Sequence, residues 1–180
     1  MNIGKFFANV VVFFFENMFL MFCNSVVNRC YLYILIFYKG IKKMTLALVT
    51  GSSRGIGRAI AVELANSGID VVVTYNSDQQ AAERVVEDVK KLGVTAQLLK
   101  LDISNGQETE QIITEMIKER GCPDILVNNA GITRDGLFAM MSSDSWQAVI
   151  DTNLSGFYSV TRPIVRQMIR KRAGRIINLT

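Results

Sequence analysis

Short apolar runs alternate with longer amphipathic segments from residue 46 onward. The runs are rich in Val, Ile and Leu, as is typical of strands buried on both faces of a parallel sheet. They predict five strands, at 46–49, 69–75, 94–101, 124–127 and 175–179. The segments between them have helical composition or apolar residues at helical spacing. They predict four helices, at 58–67, 81–92, 108–120 and 142–168.

Glycine and capping residues set the expected limits of these helices. Gly68 and Gly93 follow the first two and are natural C-caps, while Asn76 or Ser77 can cap the second and Ser142 or Ser143 the last. Strict alternation of strand and helix gives a parallel sheet with right-handed crossovers. We therefore expect an α/β fold, a Rossmann-type doubly wound parallel sheet of order 3-2-1-4-5.

A glycine-rich segment, Thr50–Gly57, lies between the first strand and the first helix, and we call it the glycine turn. Its spacing is G-x-x-x-G-x-G, in which glycines allow the backbone to approach an anion and the free N–H groups of the helix point at it. Tight turns alone would also explain three glycines. A second polar segment, Asn128–Gly131, ends the fourth strand, and both segments fall beside the switch point between strands 1 and 4. This co-location predicts a dinucleotide site.

Composition narrows the chemistry. The chain of 180 residues contains no His, which removes imidazole as a general base or metal ligand, and we expect no metal site. Its three cysteines, Cys23, Cys30 and Cys122, have no C-x-x-C spacing and indicate reduced thiols in a cytoplasmic protein. The net charge of +4 is too mild to indicate nucleic acid, and no reading helix or aromatic platform accompanies it.

Residues 1–43 differ from the rest, being dominated by Phe, Ile, Asn, Tyr and Lys. The run at 6–22 is apolar, but Glu16 lies within it, and a carboxylate near the middle of a spanning helix is costly. Two interpretations remain open: a membrane anchor, or a start at Met44 with the preceding residues translated from upstream sequence. We expect 1–43 to be an apolar N-terminal extension outside the fold, and 44–180 to be an incomplete NADP-binding Rossmann domain.

Four motifs, in order, resemble the short-chain dehydrogenase/reductase family. They are Thr-Gly-x-x-x-Gly-x-Gly at 50–57, Asp102 after strand 3, Asn-Asn-Ala-Gly at 128–131 and Asn153 in the long helix. The stretches 126–135, 151–154 and 174–177 look like the 3-oxoacyl-[acyl-carrier-protein] reductases, and acetoacetyl-CoA reductases are very similar there. The resemblance implies NADPH-dependent reduction of a 3-oxoacyl thioester, as in fatty acid synthesis.

The resemblance also implies residue roles. The glycines would line the pyrophosphate, Asp102 and Ile103 would hold the adenine, and Asn129 with Gly131 would pass the nicotinamide ribose. The full set of implied cofactor-binding residues is Gly51, Ser53, Arg54, Gly55, Ile56, Gly57, Asn76, Asp102, Ile103, Asn129, Ala130 and Gly131.

Two positions indicate which cofactor is used. Enzymes that prefer NAD carry an acid about 20 residues past the glycines, on the ribose 2′-OH. Here Asn76 stands at the end of the second strand and no acid precedes Asp78. Arg54, inside the glycine turn, has a guanidinium that can fork onto a 2′-phosphate, although a solvated loop arginine is the alternative. Together these positions favour NADPH.

The proton-transfer residues are only partly represented. Asn153 is the family's helix residue that positions a water in the proton relay. The family's Ser after strand 5 and its Tyr and Lys four apart on the next helix are missing from residues 44–180. We therefore expect this fragment to be inactive by itself. The alternative is a non-catalytic remnant that retains only nucleotide affinity.

A basic stripe marks the end of the chain, where no acid follows Asp151 and the cations are Arg162, Arg166, Arg170, Lys171, Arg172 and Arg175. Arg162, Arg166 and Arg170 recur every four residues and share one helix face. A solvated face is one interpretation, and an acidic partner is the other: acyl carrier protein or the phosphates of a CoA thioester. The long helix forms subunit contacts in the family, which implies a homo-oligomer at full length. The strands that follow strand 5 are missing, so we also expect one sheet edge and one face of this helix to be uncovered.

Overall fold

The computed structural model describes residues 11–15, 18–23 and 45–179. The strands are β1 (Val11–Phe15), β2 (Met18–Cys23), β3 (Leu46–Val49), β4 (Asp70–Tyr75), β5 (Ala96–Lys100), β6 (Ile125–Asn128) and β7 (Gly174–Leu179). The helices are α1 (Gly55–Asn66), α2 (Gln79–Lys91), α3 (Gly106–Arg120), α4 (Ser143–Ile150) and α5 (Gly156–Lys171). A short 3₁₀ turn covers Phe138–Met140.

Strands β3 to β7 form a parallel sheet in the order β5-β4-β3-β6-β7. Counted from β3, this is 3-2-1-4-5, which confirms the predicted fold class. Strand β3 pairs with β4 on one side and β6 on the other, with Val49 opposite Val73 and Val127. The carboxyl ends of β3 and β6 therefore lie side by side, and the chain leaves them in opposite directions at the switch point.

Each face of the sheet is covered by helices, so the central strands are buried on both sides. Ala47 and Val49 pack in one core with Leu64 of α1 and Val85 of α2. Leu48, between them, faces the opposite core, which contains side chains from α3 and α5: Ile113, Met116, Ile164 and Met168. Burial on both faces is the physical reason for the continuous apolar runs in the sequence.

Several local boundaries differ from those predicted. The α2 helix is capped by Asp78, whose carboxylate accepts from Ala81 N at 2.9 Å, so the expectation of a cap at Asn76 or Ser77 was wrong. The single long helix is divided by a π-helical turn, Asp151–Ser155, between α4 and α5. Ser142 does cap α4, as predicted.

The outer edge of β7 carries a further pair of strands. Strand β2 runs parallel to β7, with Met18 opposite Gly174 and Cys23 opposite Leu179, and β1 pairs antiparallel with β2. The expectation of an uncovered β7 edge was therefore wrong. The physical reason is that the unpaired N–H and C=O groups of an edge strand are a template on which another strand can pair. Of residues 1–43, those outside β1 and β2 lie outside the described residues, and the domain boundary at Met44 stays a prediction.

Membrane crossing was one interpretation of the N-terminal region. Across the parts of the chain that the structure describes, no helix combines the length and the apolar composition that a membrane span requires.

Candidate nucleotide-binding site

A groove of about 780 Å³ lies at the carboxyl ends of the central strands. Its volume is within the usual range for small-molecule and cofactor sites, about 300–1,000 Å³. The segments that follow β3, β4, β5 and β6 form most of its wall, and α4 and the π-helical turn complete it. We call it the main groove. Parallel strands bring these four segments together because their carboxyl ends meet at one edge of the sheet.

Most of the predicted cofactor-binding residues line this main groove. They are Gly51, Ser53, Arg54, Ile56, Asn76, Asp102, Ile103, Asn129, Ala130 and Gly131. Gly55 lines a neighbouring groove, and Gly57 is buried beneath the turn. The structure thus brings the predicted set together, and the binding role of each residue stays a prediction.

The glycine turn requires glycine at the positions that contact the segment after β6. Gly51 has φ of +62°, and a Cβ there would lie 3.0 Å from Ala130 Cβ. A Cβ on Gly57 would press on the Gly51 carbonyl oxygen and lie 2.5 Å from Asn129 Nδ2. Glycine therefore lets the first turn of α1 pack directly on the glycine turn. The open backbone is the cradle that a pyrophosphate needs.

Hydrogen bonds join the glycine turn to the segment after β6. Thr50 Oγ1 accepts from Asn129 N at 2.9 Å and from Ala130 N at 3.0 Å, and donates to Val127 O at 3.3 Å. Asn129 Nδ2 donates in return to the carbonyl oxygens of Thr50 (2.9 Å) and Gly51 (3.1 Å). The side chain of Asn129 is therefore a structural tie between two walls of the main groove.

A second set of hydrogen bonds ties the glycine turn to β4, and the sequence analysis missed it. Gly51 N donates to Thr74 Oγ1 at 2.9 Å, Thr74 N donates to Ser52 Oγ at 2.9 Å, and Ser52 Oγ donates to Val49 O at 2.8 Å. Ser52 and Thr74 are both buried. The available signal was Thr74, a polar residue after three valines in β4, but it does not identify Ser52 as the partner.

The β4 end of the main groove carries the positions that bear on cofactor choice. Arg54 is exposed, and its guanidinium has no hydrogen bond or ion pair with any residue the structure describes. Asn76, Ser77 and Asp78, which follow β4, form another wall of the main groove. Asp78, the first acid of this wall, is engaged in capping α2.

Asp102 and Ile103, to which the resemblance assigns the adenine, both line the main groove. Asp102 Oδ1 accepts from Ser104 N at 3.0 Å and from Ser104 Oγ at 2.7 Å, an arrangement that fixes the turn after β5. Ile103 is buried and supplies an apolar surface to the main groove. This combination of a fixed polar turn and an apolar wall is suited to a flat heterocycle.

Asn153 does not line the main groove. It lies in the π-helical turn, where its Nδ2 donates to Ile132 O at 3.0 Å and its Oδ1 accepts from Ile132 N at 2.9 Å. It lines a separate cavity of about 190 Å³. Both ends of its amide are engaged by one backbone unit, so its side chain fixes the segment after Gly131. Its part in a proton relay stays a prediction.

A buried polar cluster borders the same cavity. Asn128 Nδ2 donates to Asn178 Oδ1 at 2.8 Å and to Thr161 Oγ1 at 3.0 Å, so the cluster joins β6, β7 and α5. All three side chains are buried, and Asn178 Nδ2 has no hydrogen-bond partner among the described residues. This cluster fixes the end of β6 from which the Asn129–Gly131 segment leaves.

The basic stripe is less free than its sequence suggests. Arg162 pairs with Glu110 at 3.0 Å, and its guanidinium lies 5.6 Å from the centre of the Tyr158 ring. Arg175 is buried rather than exposed. Arg166 and Arg170 remain exposed on α5.

Several known proteins are similar to this chain in sequence. The sequence pattern of the family described as short chain dehydrogenase matches residues 45–180. The chain is 46% identical over 134 residues to the 3-oxoacyl-[acyl-carrier-protein] reductase FabG of Staphylococcus epidermidis, covering 74% of this chain and 55% of the relative. It is 46% identical over 139 residues to FabG of Staphylococcus aureus (77% and 56%).

A third relative gives a similar result. The chain is 44% identical over 135 residues to the 3-oxoacyl-[acyl-carrier-protein] reductase of Synechocystis sp., covering 75% of this chain and 55% of the relative. The chain thus spans about half the length of the curated relatives it matches. The family match extends over three quarters of the chain and includes every wall of the main groove, and the chain belongs to the short-chain dehydrogenase family.

Proposed function

We propose that residues 45–179 are the NADPH-binding half of a reductase that converts a 3-oxoacyl thioester to the 3-hydroxyacyl thioester. The observation that carries the proposal is the main groove, in which the glycine turn, Asn76, Asp102 and the Asn129–Gly131 segment form one continuous wall. The relatives are named as 3-oxoacyl-[acyl-carrier-protein] reductases, which supports this substrate class. The acyl group would arrive on acyl carrier protein or on CoA.

The groove offers a separate environment for each part of the cofactor. The backbone of the glycine turn and the N-terminus of α1 favour the pyrophosphate. Asp102 and Ile103 are suited to the adenine, and Asn129 to Gly131 lie where the nicotinamide ribose would pass. When bound, the reduced nicotinamide supplies the hydride, so the protein's task is to orient the substrate and supply a proton.

Cofactor choice in this proposal rests on charge. Arg54 is exposed on the groove wall with no partner among the described residues, and Asn76 occupies the position where an acid would select NAD. A guanidinium binds a phosphate through two charge-assisted hydrogen bonds. This combination supports NADPH over NADH.

In this proposal, the residue that positions the proton relay and the residue that donates the proton lie in different parts of the protein. Asn153 is a positioning residue, held by the Ile132 backbone in a π-helical turn. We place the proton donor outside residues 44–180, which contain no Tyr followed four residues later by Lys. The scattered cysteines support a cytoplasmic location, and the exposed side of the α4–α5 region supports a homo-oligomer.

A chimera tests the proposal. Residues 45–179 replace the matching half of the Staphylococcus epidermidis relative, and NADPH oxidation is followed with an acetoacetyl thioester. We expect the chimera to turn over, and the 180-residue chain alone to be slower by at least the general-acid contribution, about 10²–10⁴-fold. A folded chimera that binds NADPH without turnover would support the non-catalytic alternative. Equal turnover by the chain alone would contradict the position given to the proton donor.

A further inference from the structure

A second groove of about 520 Å³ adjoins the main groove on the side of α2. The two grooves share three wall residues, Ser53, Arg54 and Asp78. A group that leaves the main groove between the glycine turn and the end of β4 therefore enters the second groove directly. In a dinucleotide at this site, the substituent on the adenosine ribose nearest to the end of β4 is the 2′ group.

The charges around the second groove are unevenly paired. Asp88 accepts from Arg58 at 2.9 Å and from Lys91 at 3.2 Å, so one carboxylate engages two cations. Hydrogen bonds from Lys91 and Arg58 lower the pKa of the Asp88 carboxyl below its usual value. Arg58 and Lys91 are therefore already neutralised in part.

Two other cations of this groove are unengaged. Arg84 projects from the second turn of α2, and Arg54 comes from the glycine turn. Neither guanidinium has a hydrogen bond or ion pair with any residue that the structure describes. The carboxylate of Glu87 also lines this groove without an ion pair to a described residue. The two available guanidinium groups, which come from two different walls, are the groups suited to binding a dianion there.

We propose that Arg84 and Asp78 are opposing determinants of cofactor specificity, with Arg84 attracting the 2′-phosphate of NADPH from the second groove and Asp78 repelling it. The inference rests on the proposed function and extends it, because it assigns the phosphate a second cation beyond the glycine turn. Asp78 lines both grooves, so a phosphate placed between them would lie near its negative charge. Like charges at such a distance disfavour binding.

Two substitutions in this chain should change the affinity for NADPH in opposite directions. Arg84→Gln removes the attractive charge. Asp78→Asn removes the repulsive one and keeps the N-cap of α2, because Asn caps as well as Asp does. Lys90→Gln is the control, since Lys90 is an exposed cation on the same helix that lines neither groove.

The test is calorimetric titration of the 180-residue chain with NADPH and with NADH at two ionic strengths. Arg84→Gln should weaken the binding of NADPH about two- to fivefold, the usual range for one exposed charge pair. It should also reduce the salt dependence of the affinity for NADPH. Asp78→Asn should strengthen NADPH by a similar factor. The affinity for NADH should change in neither variant. Lys90→Gln should change the affinity for neither cofactor by a comparable amount.

The failures of the inference and of the proposed function are distinguishable. If the unmutated chain binds NADPH no more tightly than NADH, or binds neither, the proposed cofactor and this inference are both wrong. If NADPH is preferred but Arg84→Gln leaves that preference intact, or if Asp78→Asn weakens NADPH, only the assignment of Arg84 and Asp78 is overturned.

Discussion

The glycine turn and segment 133–146 each follow a central strand of the sheet, and they are built in opposite ways. In the glycine turn, Thr50 and Ser52 are engaged in hydrogen bonds to neighbouring backbone, and Asn129 of the segment after β6 donates to the turn. Segment 133–146 instead leaves large apolar side chains exposed: Leu137 (73%), Phe138 (79%), Met140 (81%) and Trp146 (52%). The polar groups of the first region are engaged within the chain, and the second presents apolar surface that the described residues leave exposed.

This difference separates the two tasks of the protein. A cofactor cradle that is internally satisfied needs no further contact to hold its shape. An exposed apolar region gains free energy only when something else covers it, such as a substrate, another subunit or further chain. Leu154 in the π-helical turn and Tyr158 and Ile169 in α5 are also exposed, which extends the same apolar character along this part of the chain.

The largest expected effect breaks the glycine turn. Gly57→Ala would place a methyl group against the Gly51 carbonyl and the Asn129 amide, neither of which can withdraw easily. We expect a loss of about 3 kcal/mol in the free energy of unfolding, the upper end for overpacking, together with loss of NADPH binding. Gly68→Ala is the control for backbone strain alone, since its φ is +78° in open space. Urea unfolding measures the free energy of unfolding of both variants. Equal losses in the two would contradict the claim that the contacts around Gly57 require glycine.

The next effect concerns the hydrogen bonds that join the walls. Thr50→Val keeps the shape of the side chain but removes the oxygen that accepts from Asn129 N and Ala130 N. Leaving these donors unsatisfied should cost about 2 kcal/mol. Thr114→Val, whose hydroxyl donates only to Glu110 O in an exposed helix, should cost far less. Thermal unfolding measures both, and a neutral Thr50→Val would show that the tie is dispensable.

A smaller effect is confined to cofactor choice. Arg54→Ala should reduce the preference for NADPH over NADH by about 1.5 kcal/mol, the lower end for a charged hydrogen bond because the side chain is exposed. Arg166→Ala removes an equally exposed charge on α5 and should leave the preference unchanged. Titrations with both cofactors measure the difference. Equal affinities in the unmutated chain would refute NADPH selection.

The smallest effect is expected in the exposed region. Phe138 lies 6.3 Å from Trp146 in an edge-to-face arrangement and is otherwise exposed. Phe138→Ser should therefore change the free energy of unfolding by less than about 0.5 kcal/mol while reducing self-association. Ile164→Ala, in the core beneath α5, should cost about 2–5 kcal/mol. Light scattering together with urea unfolding checks this, and a large loss of stability in Phe138→Ser would contradict the contrast.

The sheet order and the main groove could be predicted from the sequence because both depend on patterns within short stretches of the chain: the alternation of apolar runs with amphipathic segments, and the spacing of the glycines. Alternating apolar runs specify parallel strands, and the turn at 50–57 and Asn128–Gly131 necessarily meet at the switch point. The pairing of Thr74 with Ser52 was not predictable, because two small polar residues 22 positions apart carry no spacing rule. The π-helical turn at Asn153 has no compositional signal, and the pairing of β2 with β7 depends on a free edge that only the assembled sheet defines.

Hydrogen–deuterium exchange with and without NADPH tests the central claim most directly, because it reports which backbone amides the cofactor protects. We expect saturating NADPH to protect peptides covering 50–57 and 129–131, with weaker protection at 76–78 and 102–104. Peptides covering 137–146 should exchange at the same rate in both conditions. Protection confined to 137–146, or no protection at 50–57 at saturating cofactor, would contradict the assignment of the main groove as the cofactor site.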